Sequence, residues 1–151
     1  MPRISGIFGA LEISASGMSA QRAKIDVISS NVANVHTTRV EGGSYYKRQV
    51  IVLRESKLSL DFSSILSDEI GGGIGGELSG VEVVEITSIQ EPPKFIYEPN
   101  HPDANEEGMV SYPNINIIEE MVNMIMSSRA FEANLTVFNT AKEMISQSLE
   151  I

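Results

Sequence analysis

The sequence predicts an α+β fold: long N- and C-terminal helices paired as an antiparallel coiled coil, with a small antiparallel β-rich region between them. Three observations lead there. Apolar residues recur every seven positions from Ile4 to Val32. They recur again, alternating three and four apart, from Ile117 to Leu149. Between Thr37 and Pro113 the helical period gives way to short β-branched and aromatic runs separated by turn formers.

The first element, residues 1–36, carries the heptad series Ile4, Leu11, Met18, Ile25 and Val32, with Ile7, Phe8, Ala15 and Ile28 filling much of the adjoining seam. Gln21, Arg22, Lys24 and Asp26 keep this stripe narrow, suited to one or two partner helices rather than a globular core. Gly6, Gly9 and Gly17 each cost a helix about 1 kcal/mol relative to alanine, so the segment is marginal alone and mobile in an isolated chain. Its small residues let a neighbouring backbone approach closely. Arg3 and the apolar residues after it faintly resemble a secretory signal, but Ser5, Gly6, Gly9 and Glu12 interrupt the run, and the heptad series favours a structural helix.

The middle, residues 37–113, reads as one small antiparallel sheet with strands in Ser44–Leu53, Val81–Ile86 and Phe95–Tyr97. The glycine-rich loop 70–80 lacks the Gly-Lys-Ser/Thr that a phosphate-binding loop requires, which leaves a flexible connection. Pro92, Pro93, Pro99, Pro102 and Pro113 hold the return path extended.

The last element, residues 114–151, opens with Asn116 as N-cap and Glu119 at the third helical position. Its stripe runs through Ile117, Met121, Met124, Ser128, Phe131, Leu135, Phe138, Lys142, Ile145 and Leu149, and Ile118, Ile125, Met126 and Val137 widen the apolar face beyond one seam. This helix therefore has more than one neighbour.

Composition excludes several classes of function. A net charge of −9 and a pI near 4.6 oppose nucleic-acid binding. No cysteine is present for a disulfide, a thiolate metal site or a nucleophile. No run of about 18 apolar residues marks a direct membrane span. His36 and His101 are isolated; Asp103, Glu106 and Glu107 near His101 lack ordered metal-ligand spacing, and no Gly-x-Ser-x-Gly elbow occurs. Neither enzyme chemistry nor a cofactor is expected.

Two asparagines three apart, Asn31 and Asn34, close the first helix. One suffices to end a helix, by adopting the left-handed conformation and bonding nearby backbone. The other is read as serving a neighbouring chain.

The stretch SGMSAQRAKIDVISSNVANVHTTR, Ser16 to Arg39, resembles the N-terminal signature of bacterial flagellar rod and hook proteins, in which Ser-x-Asn-Ile/Leu-Ala-Asn closes the first helix. Val32 stands where isoleucine or leucine is usual. EEMVNMIMSSRAFEANLTVFNTAKEMISQSLEI resembles the C-terminal helix of the same axial proteins, with Arg129 to Asn134 as its core motif. Tyr97 to Ala104 and Tyr112 to Asn116 are similar to the short subunits of the proximal rod; Glu55 to Gly80 is unmatched. The resemblance implies a structural subunit of the basal body, in the rod that crosses the periplasmic space. Such a subunit is exported unfolded by the flagellar type III apparatus and polymerised with copies of itself and other rod proteins into a torque-transmitting shaft. The stripes and the motifs together mark Ile4, Leu11, Met18, Ile25, Asn31, Val32, Asn34, Met121, Arg129, Phe131, Asn134, Leu135, Phe138, Ile145 and Leu149 as packing and assembly residues. The alternative reading is a secreted coiled-coil adaptor or effector that binds its partner through the C-terminal helix.

Overall fold

The computed structural model describes residues 4–40, 43–57 and 79–149. In chain order the elements are α1 (Ile4–Ala33), β1 (Gln49–Lys57), β2 (Ser79–Ser88), β3 (Lys94–Tyr97), β4 (Met109–Tyr112) and α2 (Ile117–Leu149). Residues 70–78 of the glycine-rich loop lie outside the described residues, and Ser79 and Gly80 open β2.

The two helices run antiparallel. Asn31 meets Glu120, and Gly17 meets Asn134; fourteen residues back along α1 correspond to fourteen forward along α2. At Gly17 the approach is close: a Cβ there would lie 2.9 Å from the Asn134 Nδ2. The small residue does what a close helix crossing requires and what its weak helix propensity alone does not explain.

The middle forms two separate two-stranded antiparallel sheets, β1–β2 and β3–β4, where one sheet was expected. Pro92 and Pro93 stand between β2 and β3; prolines have no N–H to offer a ladder, so pairing does not continue across them. The first strand also starts later than expected, at Gln49. Residues 44–48 instead cross beside the exit of α1, where the Tyr46 N–H donates to the Thr37 carbonyl at 3.2 Å and the Tyr45 hydroxyl to the Glu91 carbonyl at 3.0 Å. The register of β1 against β2 shifts between Val52 and Leu53, placing a bulge midway along the hairpin. Strand β4, Met109–Tyr112, carries too short a signal to read in advance. It is turned back onto β3 by Asn105, whose Oδ1 accepts the N–H groups of Glu107 and Met109, and by Gly108 at φ 73°.

The helix ends are set by side chains. Asn116 caps α2 as its sequence suggests, its Oδ1 accepting the Ile118 N–H at 3.1 Å. At the end of α1, Asn34 bonds back to the Ser30 carbonyl through both its backbone N–H (3.1 Å) and its Nδ2 (2.9 Å). The expected left-handed closure is absent: among the described residues no non-glycine has positive φ. Asn34 ends the helix through its side chain, and Thr37 Oγ1 donates to the Asn34 Oδ1 at 3.1 Å.

The apolar core of the described residues is small: Ala20, Val27, Ile28, Val110, Ile115 and Ala141. No helix among them is long and apolar enough to cross a membrane.

Candidate assembly surface

At one end of the helix pair the three parts of the chain are tied together. Asn31, 1% exposed, treats Gln49 as a strand would: its Nδ2 donates to the Gln49 carbonyl and its Oδ1 accepts the Gln49 N–H, both at 2.9 Å. The same Nδ2 donates to Glu120 Oε2 at 3.3 Å, and the same Oδ1 accepts the Tyr46 hydroxyl at 3.1 Å. All four hydrogen-bonding positions of the amide are thus filled within the chain. Asn31 has its partners within the chain, where the sequence reading reserved one asparagine of the pair for a neighbouring subunit.

Glu120 is buried as completely. Its Oε1 accepts from Arg48 Nε at 2.8 Å and Nη2 at 2.6 Å, so the carboxylate has a cation on one oxygen and the Asn31 amide on the other. Removing one partner of such a pair leaves an uncompensated buried charge, at a cost of about 3–5 kcal/mol. A second tie lies beyond the end of α1, where Thr38 Oγ1 donates to Asp103 Oδ2 at 2.8 Å. His101 steadies that turn, its Nδ1 accepting the Asp103 N–H at 3.1 Å. Desolvation pushes the Tyr112 phenol above its ordinary pKa, and Glu98, which accepts its proton at 3.1 Å, adds to the rise. Tyr112 therefore remains a donor at neutral pH, and the rings of His36 and His101 both stand edge-on to it. Among the described residues no group of three or more His, Asp or Glu side chains could hold a metal ion.

Along α2 the side chains most hidden by α1 are Glu120, Ser127 and Ala141, with Asn134 against Gly17 completing a heptad series. Met124, Phe131, Phe138 and Ile145 flank them, half-buried. These four belong to the expected stripe, but the alternate positions of the seam lie one residue N-terminal to those expected. Met121, Leu135 and Leu149 consequently stand exposed. On α1, Leu11, Met18, Ile25 and Val32 are half-buried at the edge of the seam, while Ser14, Ala20, Val27, Ile28 and Asn31 are buried. Ile4 lies in the first turn, whose side chains are not among those described. Arg129 is exposed and pairs with Glu132 at 2.9 Å.

The back of α2 is apolar and uncovered. Ile118, Met121, Val122, Ile125 and Met126, spaced three and four apart on one face, are 50–74% exposed. Phe95 and Tyr97 share the outer face of β3, and Val52, Val84 and Ile86 are exposed on the β1–β2 hairpin. Scattered exposed apolar residues are ordinary; a contiguous helical face of five is not.

Glu120, Arg48, Tyr46 and Gly17 were not singled out from the sequence as functional. Their roles depend on residues 15 to 117 positions away, and only the glycine inside a helix offered a local signal.

The helix pair is tied where it joins the middle of the chain and carries an uncovered apolar face on its back. Residues 11–39 match the family model described as flagella basal body rod protein, and residues 106–151 match that of the flagellar basal body rod FlgEFG protein C-terminal. The particular branch follows from whole-chain relatives, each named flagellar basal-body rod protein FlgC. One from Borreliella burgdorferi is 40% identical over 97% of both chains. One from Bacillus subtilis is 41% identical over 95% of this chain and 97% of the relative, and one from Escherichia coli 30% identical over 93% of each. The chain belongs to the FlgC family of flagellar basal-body rod proteins. Asn31, Glu120 and most of the seam lie inside the two matched segments, whereas Tyr46, Arg48 and Gln49 lie between them.

Proposed function

We propose that the chain is a subunit of the proximal rod, exported unfolded by the flagellar type III apparatus. It polymerises there with copies of itself and other rod proteins into the torque-transmitting shaft, and it catalyses nothing. The observation that carries this reading is the uncovered face Ile118–Met126 on a helix whose opposite side is already engaged. Burying five side chains that are half to three-quarters exposed contributes about 4.5–9 kcal/mol. Fixing a subunit in place costs about 4–15 kcal/mol in lost freedom. One face alone therefore holds a subunit weakly, and stable incorporation requires several contacts at once, as a helical lattice supplies. The small apolar core of the described residues fits a chain that travels unfolded and acquires much of its stability on assembly. Side chains interdigitated along the shaft axis then resist torsion.

The test is incorporation in cells lacking their own copy of this subunit, with export scored separately. Ile125→Asp should be exported normally and be missing from purified basal bodies, whereas Asn139→Asp, on an exposed polar position, should incorporate. Incorporation of Ile125→Asp at the parental level would refute the assignment of this face to assembly. A soluble one-to-one complex with another protein, and no basal-body association of the parent chain, would favour the adaptor reading instead.

A further inference from the structure

The apolar seam between the helices repeats itself. On α2 the large residues Met124, Phe131, Phe138 and Ile145 follow one another at intervals of seven, so sliding α1 by one heptad replaces each of their apolar contacts with a similar one. An α2 from another copy of the chain offers the same series, and in a crowded assembly such copies are abundant. Hydrophobic packing alone does not select the register or the partner.

One slipped register is electrostatically attractive. Moving α2 by seven residues in one direction brings Glu120 from Asn31 to the level of Lys24, an opposite charge; in the other direction Asn31 reaches Ser127, a buried hydroxyl that has no hydrogen-bond partner. Two features oppose both slips: the close approach at Gly17, whose place against Asn134 would pass to Ala10 or Lys24, and the cluster at the end of the seam. Arg48 takes one oxygen of Glu120 while Asn31 takes the other, and Asn31 is itself fastened to the backbone of Gln49, the residue next to Arg48. Arg48 belongs to the segment that leaves α1, so the cation that satisfies Glu120 is delivered at one height only. We infer that the Asn31–Arg48–Glu120 cluster is a register lock: it makes each α1 pair with the α2 of its own chain, at one of several heptad settings that the apolar seam tolerates about equally. A buried ion pair is weak evidence for stability and well suited to this selective role.

The lock is read on the isolated full-length chain, so it stands or falls apart from the rod assignment. The chain contains no cysteine, and introduced pairs report register without background. Gly17→Cys with Asn134→Cys marks the observed register; Gly17→Cys with Ser127→Cys, and Gly17→Cys with Ala141→Cys, each carrying Asn134→Ala so that the new Cβ meets no amide there, mark slips of one heptad either way. With the lock intact, mild oxidation should close the first pair within single chains and leave the other two open. In the same three pairs carrying Arg48→Leu and Glu120→Leu, which replace the charges with apolar side chains, the slipped closures and disulfide-linked dimers should rise at least about tenfold, with helix content by circular dichroism unchanged. Exclusive single-chain closure of the Gly17–Asn134 pair in the double-leucine background would overturn the inference. Loss of helix content in that background would overturn it too, because the cluster would then be a source of stability rather than of selection.

Discussion

Replacing Asn31 by Asp changes one atom of a fully buried side chain and reverses its role. The Nδ2 that donates to the Gln49 carbonyl at 2.9 Å and to Glu120 Oε2 at 3.3 Å becomes an oxygen facing two acceptors. Two unit charges 3.3 Å apart at an effective dielectric constant of about 20 repel by about 5 kcal/mol. That is a ceiling, since Arg48 neutralises part of Glu120. The alternative is to protonate one carboxyl, which for a group of ordinary pKa near 3.9 costs about 4 kcal/mol at about pH 7. The cheaper route prevails, so the variant should lose up to about 4 kcal/mol at about pH 7. In it the folded carboxyl pair holds a proton that the unfolded chain has released, so its apparent pKa is raised above the unfolded value. Stability is then retained below the unfolded pKa and lost as pH rises toward the folded one. The deficit relative to the parent should shrink by about 1.4 kcal/mol per pH unit between about pH 7 and pH 4. Asn31→Ala, which loses the same bonds without adding a charge, should show a deficit that does not change with pH. Urea denaturation of the three proteins at about pH 7, 5.5 and 4 measures this. A pH-independent deficit for Asn31→Asp would show that residue 31 is not held against Glu120.

Phe138→Asp should weaken the isolated chain and abolish incorporation, because Phe138 is half-buried beside the seam; Leu135→Asp, on an exposed position, should leave the isolated chain within about 0.5 kcal/mol of the parent and still block incorporation. Denaturation curves set beside basal-body purification separate the two. Amide exchange in dilute monomer should show protection along α1 declining from Asn31 toward its N-terminus, since the hydrogen-bonded cluster lies at one end and the weakening glycines at the other; uniform strong protection from Phe8 to Asn34 would contradict this. Gly108→Ala combines a left-handed backbone at φ 73° with a Cβ 2.9 Å from the Tyr97 ring, and should cost about 2 kcal/mol, seen as a lowered melting temperature; an unchanged midpoint would mean that the β3–β4 turn is not held in this conformation.

The terminal helices were legible because heptad spacing and an asparagine cap are local signals: Asn116 starts α2 as its chemistry suggests, and the α1 series runs into Asn34. The setting of the seam was not. Tracing the most apolar line along α2 selects Met121, Leu135 and Leu149, whereas a closely approached seam is lined by whatever is small or can be bonded across it, here Ser127, Asn134 and Ala141 beside Gly17. Gly17 was the available clue, since a glycine inside a helix costs stability unless something sits against it. The pairing of Asn31 with Gln49 could not be read, because it needs the free edge of a strand that the sequence alone places five residues too early. The separation of the middle into two hairpins follows from Pro92 and Pro93, whose local signal is an extended path and not a break in the sheet.

The bond between Asn31 and Glu120 joins residues 89 positions apart. Chains grow from the N-terminus at about 5–20 residues per second, so α1 emerges roughly 5–20 seconds before the residue that holds it in place has been made. Throughout that interval its apolar stripe has no intramolecular partner, and anything in the cell that binds a nascent amphipathic helix has first access to it. The order of synthesis thus gives the open form of this chain a lifetime before it has any opportunity to close.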